Sequence, residues 1–255
     1  RIRQAGTQRA LGYGELTQGE KLVVAIAESV PLKPASAWRT MGTSVPKVDA
    51  RNYVTGRHLY SSDVRRPGMV HGRVLRAPAF GATLAALDAT AAEGMPGVTV
   101  VRDGNFVGVT APTAQFAAQA VAALRAEWQM TPQVSERELY AHLRASARNA
   151  PAAPTAAPGP GELRQTYTTA YIAHAPLEPR TAVAEWQDEV VTVWTGTQRP
   201  FGVRDELVSA LRLPAEKVRV IVPDTGSGYG GKHTGEYAVE AARLARGAGK
   251  PVKLV

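Results

Sequence analysis

The chain has no cysteine, which excludes disulfides, thiolate zinc sites, cysteine-ligated iron–sulfur clusters and a cysteine nucleophile within these residues. It has no apolar run approaching the ~20 residues needed to cross a bilayer, and no charged-then-apolar leader at its start. A basic tract is missing too. The formal charge of +8 is spread along the chain, with Arg65-Arg66 the only adjacent basic pair, so neither a nucleic-acid partner nor a membrane span is expected. Cellular location stays open. The sequence opens at Arg1 without a methionine and closes on Pro251 to Val255, which reads as a strand cut short. We therefore read it as an internal piece of a longer protein.

What is present is ordinary for a folded chain: 255 residues, 44% hydrophobic and 20% charged, enough for one or two packed domains. Residues 1–46 mix turn signals (Gly12, Gly14, Gly19) with one apolar stretch, Leu22 to Ala27, and read as the tail of a preceding domain or a connecting segment. Residues 47–148 read as a compact α+β domain. Strands are expected at Met69 to Leu75, Val98 to Arg102 and Phe106 to Thr110. A helix with Thr113 as N-cap follows, its face formed by Phe116, Ala120, Val121, Leu124 and Trp128. Ser135 to Glu138 fits a capping box for a second helix running to about Ala147.

Residues 149–161 hold four prolines and two glycines, the composition of a weakly packed linker. Beyond it, over 162–255, the expected order is strand (Leu163 to Ile172), strand (Ala182 to Trp186), strand (Val190 to Thr195), helix (Phe201 to Leu211), strand (Val218 to Val222), glycine loop, helix (Tyr237 to Arg246), and a strand from Val252. This half is α/β in character and incomplete.

The glycine loop, Pro223-Asp-Thr-Gly226-Ser-Gly228-Tyr229-Gly230-Gly231-Lys232-His233, carries the most chemistry. Glycines admit left-handed backbone and let a ligand approach the main chain, and a following helix offers free N–H groups. The plain alternative is a tight connection. As a dinucleotide fingerprint, Gly226-x-Gly228-x-x-Gly231 lacks the acidic residue about 20 positions on. As a phosphate loop, Gly226-x-x-x-x-Gly231-Lys232 has His233 where the magnesium-binding hydroxyl belongs.

The order of motifs is more specific than the glycines. The pair Thr197-Gln198, the Phe201 to Leu211 helix, the Leu213 to Val222 segment and the glycine loop together resemble the large, molybdopterin-binding subunit of molybdenum hydroxylases of the xanthine dehydrogenase and aldehyde oxidase family. The segment His174-Ala-Pro-Leu-Glu178-Pro resembles that family's His-x-Pro-x-Glu-Pro motif. Asp49, Val54 to Tyr60, Asp63 and Pro67 to Leu75 resemble the start of its hammerhead domain. Leu11 to Leu16 is similar to the isoquinoline or nicotinate oxidoreductase type.

The resemblance implies an α+β hammerhead-like domain followed by the first part of an α/β molybdopterin-binding domain. It implies that the Gln198 amide bonds an oxygen ligand of molybdenum, and that Gly230 offers its N–H to the pterin complex beside Tyr229, with Gly228 leaving room. His233, where xanthine-oxidising members have glutamate, is assigned to the substrate pocket and points to an aldehyde or another N-heterocycle. His58, His71 and His174 are read as structural, and no catalytic role is assigned to Glu178. The cofactor implied is molybdenum-molybdopterin, in a nucleotide form that could be the cytidine dinucleotide. Iron–sulfur clusters on a partner subunit would take the electrons. The catalytic base implied lies elsewhere in a much longer subunit, so this stretch holds no catalytic residue and is expected to be inactive alone. Two rival readings stay open: a nucleotide-binding module built on residues 226–232, and a non-catalytic assembly domain.

Overall fold

The computed structural model describes residues 1–19, 21, 23–25, 29–149 and 157–255. The chain divides into two compact units, Arg1–Val54 and Thr55–Val255. In the first, β1 (Ile2–Arg3) pairs antiparallel with β2 (Ala10–Leu11), and a one-turn helix, α1 (Tyr13–Thr17), follows. A second short helix, α2 (Ala50–Val54), ends this unit, with the Lys47 ammonium 3.7 Å above the Tyr53 ring. The apolar stretch expected at 22–27 lies partly outside the described residues.

The second unit runs β3 (Val70–Val74), β4 (Thr83–Asp88), α3 (Thr90–Glu93), β5 (Thr99–Asp103), β6 (Phe106–Ala111), α4 (Ala114–Ala122), β7 (Arg125–Gln129) and α5 (Leu139–Ser146). It continues with β8 (Ala182–Gln187), β9 (Val190–Thr195), α6 (Pro200–Leu211), β10 (Val218–Ile221), α7 (Glu236–Ala248) and β11 (Val252–Leu254). Seven strands form one mixed sheet in the order β10-β9-β8-β11-β3-β6-β5, while β4 and β7 pair separately. Strands on both sides of the proline-rich stretch 149–161 thus share a sheet. Most of that stretch, residues 150–156, lies outside the described residues.

The sheet is covered on two faces, and the alternation of side chains along a strand shows how. Val107, Val109 and Ala111 of β6 pack with Ala117 and Ala120 of α4. The intervening Phe106 and Gly108 face the other way, toward Leu244 of α7 and the main core of Ala182, Ala184, Val191, Val193, Leu207 and Val252. Helix α7 sits very close to the sheet because two strand positions lack side chains. A Cβ on Gly72 would fall 2.6 Å from Leu244 Cδ1, and one on Gly108 would fall 2.8 Å from both Leu244 Cδ2 and the Arg73 carbonyl. Arg76, just past β3, ties the same helix from outside by bonding Glu240 through Nη2 to Oε2 at 2.8 Å. Burial still pushes the Glu240 carboxyl above the ordinary glutamate range, against the pull of that guanidinium.

Three expectations need correction. The helix begun at Thr113, whose Oγ1 accepts from Phe116 N at 3.1 Å, ends at Ala122, and Trp128 belongs to β7, opposite Leu84. Leu124, Ala126 and Trp128 also fit a two-residue period, so the same residues satisfy both patterns until β4 supplies a partner strand. The Leu163 to Ile172 segment is not a strand: it has no ladder partner among the described residues, and Leu163, Tyr167, Tyr171 and Ile172 are exposed. Ser135 bonds the Glu138 carboxylate rather than a backbone N–H, and a 3-10 turn (Glu136–Glu138) precedes α5.

The arrangement that matters for function comes from β8, β9, α6 and β10. β8 and β9 form a hairpin turned by Asp188 and Glu189, both at positive φ, which matches strand twist. β10 lies parallel to β9, so α6 must cross over between them. It buries Val203, Leu207 and Leu211, spaced one turn apart, against the sheet. Parallel pairing puts the C-terminal ends of β9 and β10 at one edge, the usual place for a ligand crevice in such sheets. Thr197-Gln198 and the glycine loop both emerge there.

Because Gly108 has its backbone against Arg73 and its open side against Leu244, Gly108→Ala is expected to destabilise the protein by about 1–3 kcal/mol. Urea unfolding followed by tryptophan fluorescence measures this. A midpoint equal to wild type would mean that α7 does not rest on that strand as closely as described.

Candidate functional site

The edge is built around one backbone carbonyl. Lys232 O accepts from Thr197 Oγ1 at 3.0 Å and from Gln198 N at 3.1 Å. Thr197 Oγ1 also accepts from Arg199 N at 3.0 Å, which turns the chain into α6. The end of the glycine loop is thereby stitched to the end of β9. Without this join, two irregular segments 35 residues apart in sequence would each have to satisfy their polar groups alone.

The loop itself closes tightly, with Gly231 N donating to Gly228 O at 2.7 Å. Its glycines make room for neighbours: a Cβ on Gly228 would lie 2.5 Å from Gln198 Oε1, and a Cβ on Gly231 would lie 2.9 Å from His174 Cβ. Gly230 has φ +97, and two residues with side chains share the left-handed region, Ser227 at 74 and Tyr229 at 53. Each such residue costs about 1–3 kcal/mol and persists only where the surroundings hold it. Tyr229 nevertheless points its ring outward, 70% exposed. A strained, solvent-facing aromatic between two glycines contributes little packing to offset that cost, and such strain clusters at ligand sites.

Gly230 N donates to Gln198 Oε1 at 3.0 Å. This contact decides what the glutamine can offer. Its oxygen is occupied by the loop, so the amide NH2 is the end left to face a ligand, as a neutral double donor.

Beneath the loop lies an ion pair. Lys232 Nζ bonds Glu178 Oε2, with the lysine side chain 1% exposed and the glutamate 11%. The same Oε2 accepts from Gly226 N at 2.9 Å. His174 packs under Gly230 and Gly231. The segment 174–179 is therefore the floor of the loop, and its histidine and glutamate act as supports. Removing one partner of so buried a pair typically costs about 3–5 kcal/mol.

Of the residues picked out in the sequence, Gln198, Gly228, Tyr229 and Gly230 come together. His233 is exposed in the turn before α7 and makes no hydrogen bond to the described residues. Sequence reasoning gives Glu178 no role, although glutamate between two prolines, so near a histidine, is a group that backbone rigidity aims rather than lets swing. The loop's geometry also weighs against phosphate. Lys232 turns inward to Glu178 instead of toward a ligand, and the N-terminus of α7 is already met by a carboxylate, Glu206 Oε2 accepting from Gly235 N at 2.6 Å.

Comparison with known proteins bears on the family and the fold. Residues 149–255 match the model of the molybdopterin cofactor-binding domain. The chain is 29% identical to a subunit of nicotinate dehydrogenase from Pseudomonas putida, covering 98% of this chain and 23% of that protein. It is 27% identical to the aldehyde oxidoreductase molybdenum-binding subunit of Escherichia coli, covering 87% of this chain and 35% of that one. The fold is also that of quinoline 2-oxidoreductase from Pseudomonas putida, with a TM-score of 0.68, 24% identity, and coverage of 85% of this chain and 34% of that chain. The chain therefore spans about a quarter to a third of the length of these relatives.

Thr197→Val is expected to release the Lys232 carbonyl from its side-chain bond and to lower stability by about 1–3 kcal/mol. Hydrogen exchange at Gln198 N and Arg199 N should accelerate with it. Unchanged exchange at both amides would mean that Thr197 does not hold this join.

Proposed function

Because this chain belongs to the xanthine dehydrogenase and aldehyde oxidase family of molybdenum hydroxylases, as a stretch of the large subunit, we propose that the whole protein hydroxylates an aldehyde or an N-heterocycle. In this reading residues 226–231 and Gln198 form part of the molybdopterin site. The observation that carries it is the meeting of Gln198 with Gly230 over a glycine cradle at the edge shared by β9 and β10. The residues fit an anionic, bulky group. Gly228 and Gly231 let Gln198 and His174 close against the loop, and Gln198 turns its amide donors outward without adding charge.

When bound, molybdopterin with its molybdenum supplies the two-electron oxidation of an electron-poor carbon, with water as the oxygen source. This chain's own residues orient and exclude. Gln198 donates from its NH2, held in that sense by Gly230 N. Tyr229, on strained backbone, presents a phenol rather than a plain ring at the mouth of the loop, and His233 lines the substrate side. Gly230 is expected to offer its N–H to the pterin complex, but that N–H donates to Gln198 Oε1, so this reading retains only its close approach.

The finer parts are proposals of the same kind. Residues 47–148 form a hammerhead-like domain and 162–255 begin the molybdopterin-binding domain, joined by 149–161, with 1–46 the tail of a preceding domain. The family match over 149–255 supports the second of these. Electrons leave to iron–sulfur clusters on a partner subunit, a reading supported by relatives that are themselves subunits of larger enzymes. The cytidine dinucleotide form of the cofactor remains part of the proposal. No helix among the described residues is long and apolar enough to cross a membrane.

Molybdenum analysis of the full-length protein from its native host is the direct test, with near-stoichiometric metal expected. In that enzyme Gln198→Ala should lower kcat by about 10²-fold, the usual effect of losing one preorganised donor. Gln198→Glu should be worse, because it turns an acceptor toward an anion. Full activity in both variants, or a metal-free protein from a host that loads other molybdenum enzymes, would overturn the reading.

A further inference from the structure

We infer that Glu178 is a positioning residue for the cofactor face, acting through Lys232 on Gln198; the inference rests on the molybdopterin reading above. One carboxylate oxygen holds both ends of the glycine loop. Glu178 Oε2 accepts from Gly226 N at 2.9 Å at the start of the loop and from Lys232 Nζ at its end. Lys232 passes that position on through its carbonyl, which Gln198 N and Thr197 Oγ1 both bond. Gln198 returns to the loop by accepting from Gly230 N. The circuit runs from Glu178 to Lys232, to Gln198, to Gly230, and back along the loop to Gly226.

The sheet does not do this work. Residues 174–179 carry no strand, and neither do residues 222–235, so no ladder fixes one against the other. What joins them is charge taken out of water. Among the described residues Glu178 is the only acidic partner of Lys232, and a lysine at 1% exposure holds its place only while that partner does. The rest of the carboxylate is equally enclosed. Glu178 Oε1 is buried without a hydrogen-bond partner, and Gly196 packs against both Glu178 and the buried hydroxyl of Ser61. A Cβ there would lie 3.5 Å from Glu178 Oε2, at ordinary contact distance.

A salt bridge needed only for folding and a positioning residue predict different things. The full-length enzyme and its Glu178→Gln, Lys232→Met and double Glu178→Gln/Lys232→Met variants separate them. In Glu178→Gln the loop keeps an acceptor for Gly226 N, but Lys232 loses its counter-charge. A fall in kcat of about tenfold or more is expected with KM little changed, the pattern of a group that acts on the reaction step, together with a changed Mo(V) EPR spectrum. The double variant leaves no unpaired buried charge, so it should recover the melting temperature if the single variants fold poorly, yet not the kcat or the spectrum. Recovery of all three in the double variant, or single variants with wild-type kcat and spectrum, would overturn the positioning role. Trypsin cleavage after Lys232, followed by mass spectrometry, is read whether or not metal is present. It should rise at least about tenfold in Glu178→Gln, and an unchanged rate would also overturn the role. Absence of molybdenum from the wild type would instead sink the functional reading beneath it, leaving the proteolysis result to judge the hold of Glu178 on the loop alone.

Discussion

A lysine taken almost wholly out of water must have its counter-charge beside it, and Lys232 meets that requirement with Glu178. Everything distinctive about the edge of the sheet follows from the pairing. It draws the irregular segment 174–179 under the glycine loop, leaves the Lys232 carbonyl free to receive Thr197 and Gln198, and denies the lysine to any ligand. A phosphate-binding loop uses its lysine in the opposite way. The side chain's direction, rather than the glycine spacing, separates the two readings.

The fold supplies the setting for that pair through two close approaches. Helix α7 reaches the sheet only because Gly72 and Gly108 leave space for Leu244, and α7 begins where the glycine loop ends. On the other side, the parallel pairing of β10 with β9 sets two loop mouths at one edge. Strain is then tolerable within the loop: Ser227 and Tyr229 adopt left-handed backbone between anchors at Gly226 and Lys232. The tyrosine held in that conformation packs against little of the protein itself.

Much of this is legible in the residues alone. The strands at Val70–Val74, Phe106–Ala111 and Val190–Thr195 and the helices at Pro200–Leu211 and Glu236–Ala248 fall where periodicity and turn residues put them. Thr113 caps its helix as its position predicts. The failures have physical causes. Leu124, Ala126 and Trp128 fit two periods, and only the presence of β4 chooses between them. Leu163 to Ile172 has the residues of a strand but, among the described residues, no strand beside it, and a strand is a property of a pair. Within the site, Gln198 and the glycines can be picked out by the order of motifs, whereas the part played by Glu178 cannot.

The sequence by itself determined the residue types at this edge: glycines after the strand that becomes β10, a Thr-Gln pair ahead of it, no cysteine to hold iron or zinc, and no basic tract for nucleic acid. These are local facts of residue type and spacing. Tertiary structure alone decided that Glu178 and Lys232, 54 positions apart, meet out of water, and that Gly230 takes the oxygen of Gln198 so that its amide donors face outward. Such decisions depend on which charges and which peptide groups lose their solvent together, and burial is settled only when the whole chain has packed.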